Sequence, residues 1–123
     1  MTPAIIALVL LAAPALQPPA ETGRVVYYSD TWDWSRIAAN HGLAIPDGYT
    51  PIAVPDCTQL GYRGELTLPD RRIPVFIADC AAPEDRAAIE RRNIVAEIPY
   101  DVAAAEPGMI RDGSVPGTVE VRP

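Results

Sequence analysis

The sequence predicts an all-β fold, a small sandwich or barrel with one or two short helices, in a single domain. Three observations carry this. Fourteen prolines are spread along 123 residues, a density that breaks long helices and leaves short elements joined by rigid turns. The β-branched and aromatic residues come in short runs bounded by Pro, Gly, Asp and Asn, as strands and turns require. A chain of this length holds one core and gains from one covalent staple.

Residues 4–13 (AIIALVLLAA) form an apolar run too short to span a bilayer, which takes about 20 residues. With the small residues Ala13-Pro14-Ala15 and the proline-rich stretch to Ala20, residues 1–20 are expected to be a signal peptide. The alternative is an uncleaved membrane-proximal anchor. Residues 21–123 are then the working domain, secreted or periplasmic, monomeric and with no membrane contact once the signal is removed. Its net charge is −6, with no lysine and ten arginines dispersed against sixteen carboxylates. No basic stripe exists to release counterions from a phosphate backbone, which argues against nucleic acid.

Within the domain, residues 24–29 (RVVYYS) read as a first strand and residues 50–54 as a second, bounded by prolines. Residues 30–40 (DTWDWSRIAAN) are open to a loop or a single helical turn. Residues 63–68 and 72–78 read as a hairpin around Pro69-Asp70-Arg71, and the run Val75-Phe76-Ile77 implies burial on both faces. Pro83, then Glu84 and Asp85, then Arg91 and Arg92, with Asn93 beyond, match the polarity of a helix from first turn to stop. Residues 94–98 (IVAEI) form the next strand. Asp101 is placed to cap a short helix to Ala105, Gly108 and Gly113 mark loops, and residues 118–122 form the last strand.

Export makes the even cysteine count informative, and Cys57 and Cys80 are expected to pair. The competing reading is a reactive thiol near His41, the single histidine. Each cysteine follows an aspartate. A bridge holds its Cα atoms about 4.4–6.8 Å apart, so Asp56 and Asp79 would share one neighbourhood, and strand alternation could turn both toward a common groove. Paired carboxylates repel, which raises one pKa and creates an acid. The plainer use of both aspartates is as turn or strand-end caps bonded to backbone. Trp32 and Trp34, in a polar loop, and Tyr62 are candidates to stack on sugar rings, against half-buried packing as their alternative. No cofactor is expected, and no metal: three carboxylates could hold calcium, yet no Ca²⁺ loop or His/Cys ligand set is present.

The stretches VVYYSDTW, PIAVPDCTQLGYRGELTL, VFIADC and IVAEIPYDVAAAEPGM followed by PGTVEV, in that order across residues 25–122, resemble the six-stranded double-psi β-barrel of the rare-lipoprotein-A (RlpA-like), expansin and barwin-like group and the related three-aspartate domains. The resemblance implies a secreted domain acting on cell-wall polysaccharide, most of all peptidoglycan, in the manner of a lytic transglycosylase with an Asp general acid/base. It sets Asp79 on the family's catalytic or glycan-facing aspartate, Asp56 on or beside the first polar site position, and Glu97 where a late strand carries an aspartate. Two departures stand out: Asp79 is followed by Cys80-Ala81-Ala82-Pro83 rather than a glycine turn, and Pro55-Asp56 occupy the place of a family histidine. The alternative is a non-catalytic module binding glycan or a protein through Trp32, Trp34 and Tyr62.

Overall fold

The computed structural model describes residues 20–123. The expected signal segment therefore lies outside the described residues, except for Ala20, which opens the first strand. Six strands close into one barrel: β1 (Ala20–Tyr27), β2 (Thr50–Val54), β3 (Arg63–Thr67), β4 (Arg72–Cys80), β5 (Ile94–Ile98) and β6 (Val115–Arg122). Their order around the barrel is β1-β5-β2-β4-β3-β6. Pairs β1/β5 and β2/β4 are parallel and the other four antiparallel. Four helices lie between strands: α1 (Trp34–Asn40), α2 (Pro83–Arg91), α3 (Tyr100–Ala104) and α4 (Met109–Asp112).

Local chemistry explains most of these boundaries. The second strand and the fifth lie where the β-branched runs place them, and α2 begins at Pro83 and ends before Asn93, which adopts the left-handed φ of +55° that stops a helix. The outer strands are longer than the sequence suggests. β1 starts at Ala20 and β6 at Val115, because the two pair from Ala20↔Glu120 to Val25↔Val115 and β6 also pairs with β3, closing the barrel. Closure also demands a close approach: a Cβ on Gly64 would overlap the carbonyl oxygen of Glu120 on the facing strand. The stretch between Gly108 and Gly113, expected as loop, is the short α4, framed by two left-handed glycines and burying Met109 completely.

The core fills the barrel with Val25, Ile52, Val54, Leu66, Val75, Ile77, Ala96, Ile98 and Val119, among others. A second cluster of Ala38, Phe76 and Ala78, with Trp34, Leu43 and Tyr49 against it, lies outside β4 under α1. This is the two-faced burial of Val75-Phe76-Ile77: alternate residues face the barrel interior and the helix. Asp33 starts α1 by accepting a hydrogen bond from the Arg36 backbone N–H at 3.1 Å. That cap and the burial of Ile37 and Ala38 turn an ambiguous segment into two helical turns.

Cys57 and Cys80 form the expected disulfide, with Cα atoms 5.0 Å apart. It joins the end of β4 to the turn after β2, closing a loop of sequence separation 23. Loop-closure entropy gives this bridge about 3 kcal/mol. The double variant C57A/C80A should lose about that much unfolding free energy, seen as a lower urea midpoint with a somewhat steeper slope as the unfolded chain expands; an unchanged midpoint would show that the barrel does not lean on the bridge.

Candidate functional site

The two parallel strand pairs each carry one irregularity. Between β2 and β4 the register runs Ile52↔Ile77 and then Ala53↔Asp79, so Ala78 is an extra residue on β4. Between β1 and β5 it runs Arg24↔Ile94 and then Val25↔Ala96, so Val95 is an extra residue on β5. A bulge shifts the alternation of every residue that follows it. Ile77 faces the core, and without the bulge Asp79 would do the same. Instead Ala78 and Asp79 both turn outward, and after Val95 and Ala96 both turn inward, Glu97 also faces out.

One row of outward residues results: Val26 on β1 pairs with Glu97 on β5, Glu97 with Ala53 on β2, and Ala53 with Asp79 on β4. Two inter-strand steps separate the backbones of Glu97 and Asp79 by about 10 Å, and only the small side chain of Ala53 stands between them in the row. A narrow groove beside this row is lined by Tyr28, Ala53, Pro55, Cys80, Ile89 and Glu97, among others, and Asp79 is not one of its lining residues. Burial pushes the Glu97 carboxyl above its usual range, the Asp79 charge adds to the rise, and Arg92 opposes it.

Asp79 is held by side chains alone. The Tyr28 hydroxyl donates to its Oδ2 at 3.0 Å, and His41 Nε2 lies 3.0 Å from its Oδ1, donating in the tautomer that carries the proton there. His41 caps the C-terminal end of α1, so the packing of α1 on Phe76 and Ala78 is what brings the imidazole to β4. Burial, and then the charges of Glu97 and Asp79, hold the Tyr28 phenol well above its usual pKa, so it remains a donor at ordinary pH.

Tyr28 also stacks on both tryptophans, with ring centroids 4.8 Å from Trp32 and 4.9 Å from Trp34. Trp34 is half-buried against the outer cluster, whereas Trp32 is 51% exposed and presents a flat ring to solvent. These three rings form a ledge beside the carboxylates. Large exposed aromatic surface next to polar groups is what ligand sites display.

Two expected members are elsewhere. Asp56 does not meet Asp79: it caps the short 3₁₀ turn Cys57–Gln59, its Oδ1 accepting from the Thr58 backbone N–H at 2.9 Å and the Thr58 hydroxyl at 2.7 Å. Those bonds, and Arg86 at 3.7 Å, hold its carboxyl below the usual range, and it lines a different groove with Arg86 and Glu90. The alternation argument failed because the chain leaves β2 at Val54 and turns before reaching Asp56. Tyr62 likewise packs half-buried against the barrel core, away from the ledge. Conversely, sequence reasoning tied His41 only to a thiol and left Tyr28 among strand tyrosines. Its one available signal was that a lone histidine ended a segment with a good N-cap.

No protein-family model matches the sequence, and no curated protein sequence does. Among solved structures, the chain is similar to an expansin of Clavibacter michiganensis. An Asp-to-Asn mutant of that expansin in complex with cellohexaose superposes with a TM-score of 0.58 and 16% identity, over 85% of this chain and 51% of the expansin chain. The apo expansin gives a TM-score of 0.55, with the same identity and coverage. The chain thus spans about half the length of the expansin chains it matches. The six-stranded double-psi β-barrel that the sequence motifs implied is its fold.

The raised Glu97 pKa has a signed consequence. The folded state holds this proton more tightly than the unfolded state, so stability falls as pH rises from about 4.3, the unfolded carboxyl value, through the folded one. Glu97→Gln should therefore raise the unfolding free energy at neutral pH, and the gain should vanish below about pH 4. Urea unfolding across that range checks it; a variant less stable at neutral pH would show that Glu97 is held by favourable partners.

Proposed function

We propose that this domain works outside the cytoplasm and binds a β-1,4-linked cell-wall polysaccharide, peptidoglycan first, along the outward groove and its aromatic ledge. The observation that carries this is the exposed Trp32 ring stacked on Tyr28, whose hydroxyl is bonded to Asp79. Pyranose rings in such chains have flat C–H faces that stack on an aromatic plane, and equatorial hydroxyls that donate to carboxylates. Ledge and carboxylates lie together here. The fold shared with an expansin crystallised with cellohexaose supports a glycan ligand, and the disulfide supports an oxidising compartment.

A second reading, cleavage, is favoured by the Glu97–Asp79 pair. Glycan-cleaving sites use a carboxyl kept protonated beside one that is ionised. Glu97 has the raised pKa that an acid needs, and Asp79 supplies the neighbouring charge. In this reading Glu97 protonates the glycosidic oxygen as its bond to the anomeric carbon breaks, and Asp79, oriented by His41 and Tyr28, takes the proton from the hydroxyl, of water or of the sugar itself, that bonds to that carbon. Asp56, committed to its turn, has no part in it.

Purified sacculi separate the two readings. The protein should pellet with them, and Trp32→Ala should weaken pelleting about tenfold, the usual loss for an aromatic anchor. If soluble muropeptides are released, Asp79→Asn and Glu97→Gln should each lower release by about 10²–10⁴-fold while pelleting persists. Pelleting without release identifies a binding module. Absence of pelleting with both sacculi and cellulose would contradict the glycan reading.

A further inference from the structure

A second groove borders the ledge, and its chemistry differs from that of the Glu97 groove. It is lined by Ser29, Asp30, Trp32, Trp34, Tyr100 and Asp101, together with Pro99. Three aromatic and two acidic residues line this groove, and no basic one does. Among the described residues neither Asp30 nor Asp101 takes part in an ion pair or accepts a side-chain hydrogen bond. That contrasts with Asp79, whose two oxygens are both engaged.

The frame is built rather than loose. The Trp32 backbone N–H donates to the Ser29 carbonyl at 3.2 Å, and the Ser29 hydroxyl is bonded to that of Thr31, which fixes the turn bearing Asp30. Asp101 stands in the first turn of α3, and Tyr100 beside it packs edge-on against Tyr27 of β1. Both aspartates are thus carried by hydrogen-bonded backbone that lines the same groove as the tryptophans.

A neutral sugar can donate hydroxyls to these carboxylates but leaves their two negative charges uncompensated. An organic ammonium matches the groove on two counts: it carries only donors, which the carboxylates accept, and its charge is attracted to aromatic faces. We propose that this groove is a subsite for a primary ammonium carried by the wall polymer, so that the domain prefers stretches with free amines to fully N-acetylated ones. The proposal rests on the glycan reading above and adds a charge preference to it. Two parts of such a polymer carry that group: a de-N-acetylated amino sugar in the backbone and the side-chain amine of a stem peptide.

Matched pairs of ligands test it, with affinity followed by tryptophan fluorescence and calorimetry at about pH 5.5, where sugar amines are protonated. One pair is the glucosamine hexamer and the N-acetylglucosamine hexamer; the other is a muropeptide with a free stem-peptide amine and its acetylated form. At least one free amine should bind about tenfold more tightly than its acetylated partner, as one cation–π contact and two exposed ion pairs provide. The pair that shows the preference identifies the source. The preference should shrink to about threefold or less in 0.5 M salt, where screening is strong, and D30N/D101N should abolish it while leaving binding of the acetylated ligands unchanged. Equal binding within both pairs, or a preference that survives D30N/D101N, overturns the ammonium subsite and leaves the glycan reading standing. Failure of every ligand to bind overturns both.

Discussion

An extra residue, Ala78, in β4 is the constraint on which the site depends. The parallel pairing of β2 and β4 is in register as far as Ile52↔Ile77, and the next pair is Ala53↔Asp79. Had the strands stayed in register, Asp79 would have followed Ile77 into a barrel interior packed with Ile52, Leu66 and Ile98. An unpaired carboxyl there costs several kcal/mol or forgoes its charge. The bulge removes that cost by turning Asp79 outward while Ile77 keeps its place in the core. Val95 does the same on β5 for Glu97. Both carboxyls consequently face the same way, flanking Ala53, and the closed barrel fixes the distance between them.

The remaining parts of the site are held by packing around that row. Ala78, turned outward, joins Phe76 as the floor on which α1 packs, and that packing delivers His41 to Asp79. Tyr28 leaves the end of β1 with its backbone N–H bonded to the Ile98 carbonyl at 3.0 Å, and from there it reaches Asp79 with its hydroxyl and carries both tryptophans on its ring. The disulfide secures the residue directly after Asp79. A rigid scaffold with side-chain donors on a single carboxylate is how binding and catalytic groups are preorganised.

Much of this was legible in the sequence, and the illegible part has a physical character. Strands such as Thr50–Val54 and Ile94–Ile98 announced themselves by β-branching, and α2 by its charges and Pro83. The disulfide followed from two cysteines in a chain expected to be exported, and the order of motifs implied the barrel. What the sequence did not carry was registry. Bulges have no composition of their own in IADC or IVAE, so alternation could not show that Asp79 and Glu97 turn out on one row, and the expectation that Asp56 and Asp79 share a groove failed where the chain turns after Val54. His41 lies 38 positions from Asp79, and only the docking of a helix that local pattern left undecided brings the two together. Tyr62 and Trp32 look alike as aromatics near turns; burial alone separates them.

The central claim is that Asp79 and Glu97 turn outward on one row of the barrel and feel each other's charge. Carboxyl carbon chemical shifts of Glu97, followed by NMR through a pH titration in the unaltered protein and in Asp79→Asn, test it most directly. The account predicts that Glu97 titrates above the usual glutamate value, and that removing the Asp79 charge lowers its midpoint while leaving part of the elevation that burial causes. A Glu97 midpoint that is ordinary in the unaltered protein, or that does not move in Asp79→Asn, would contradict the paired-carboxylate site.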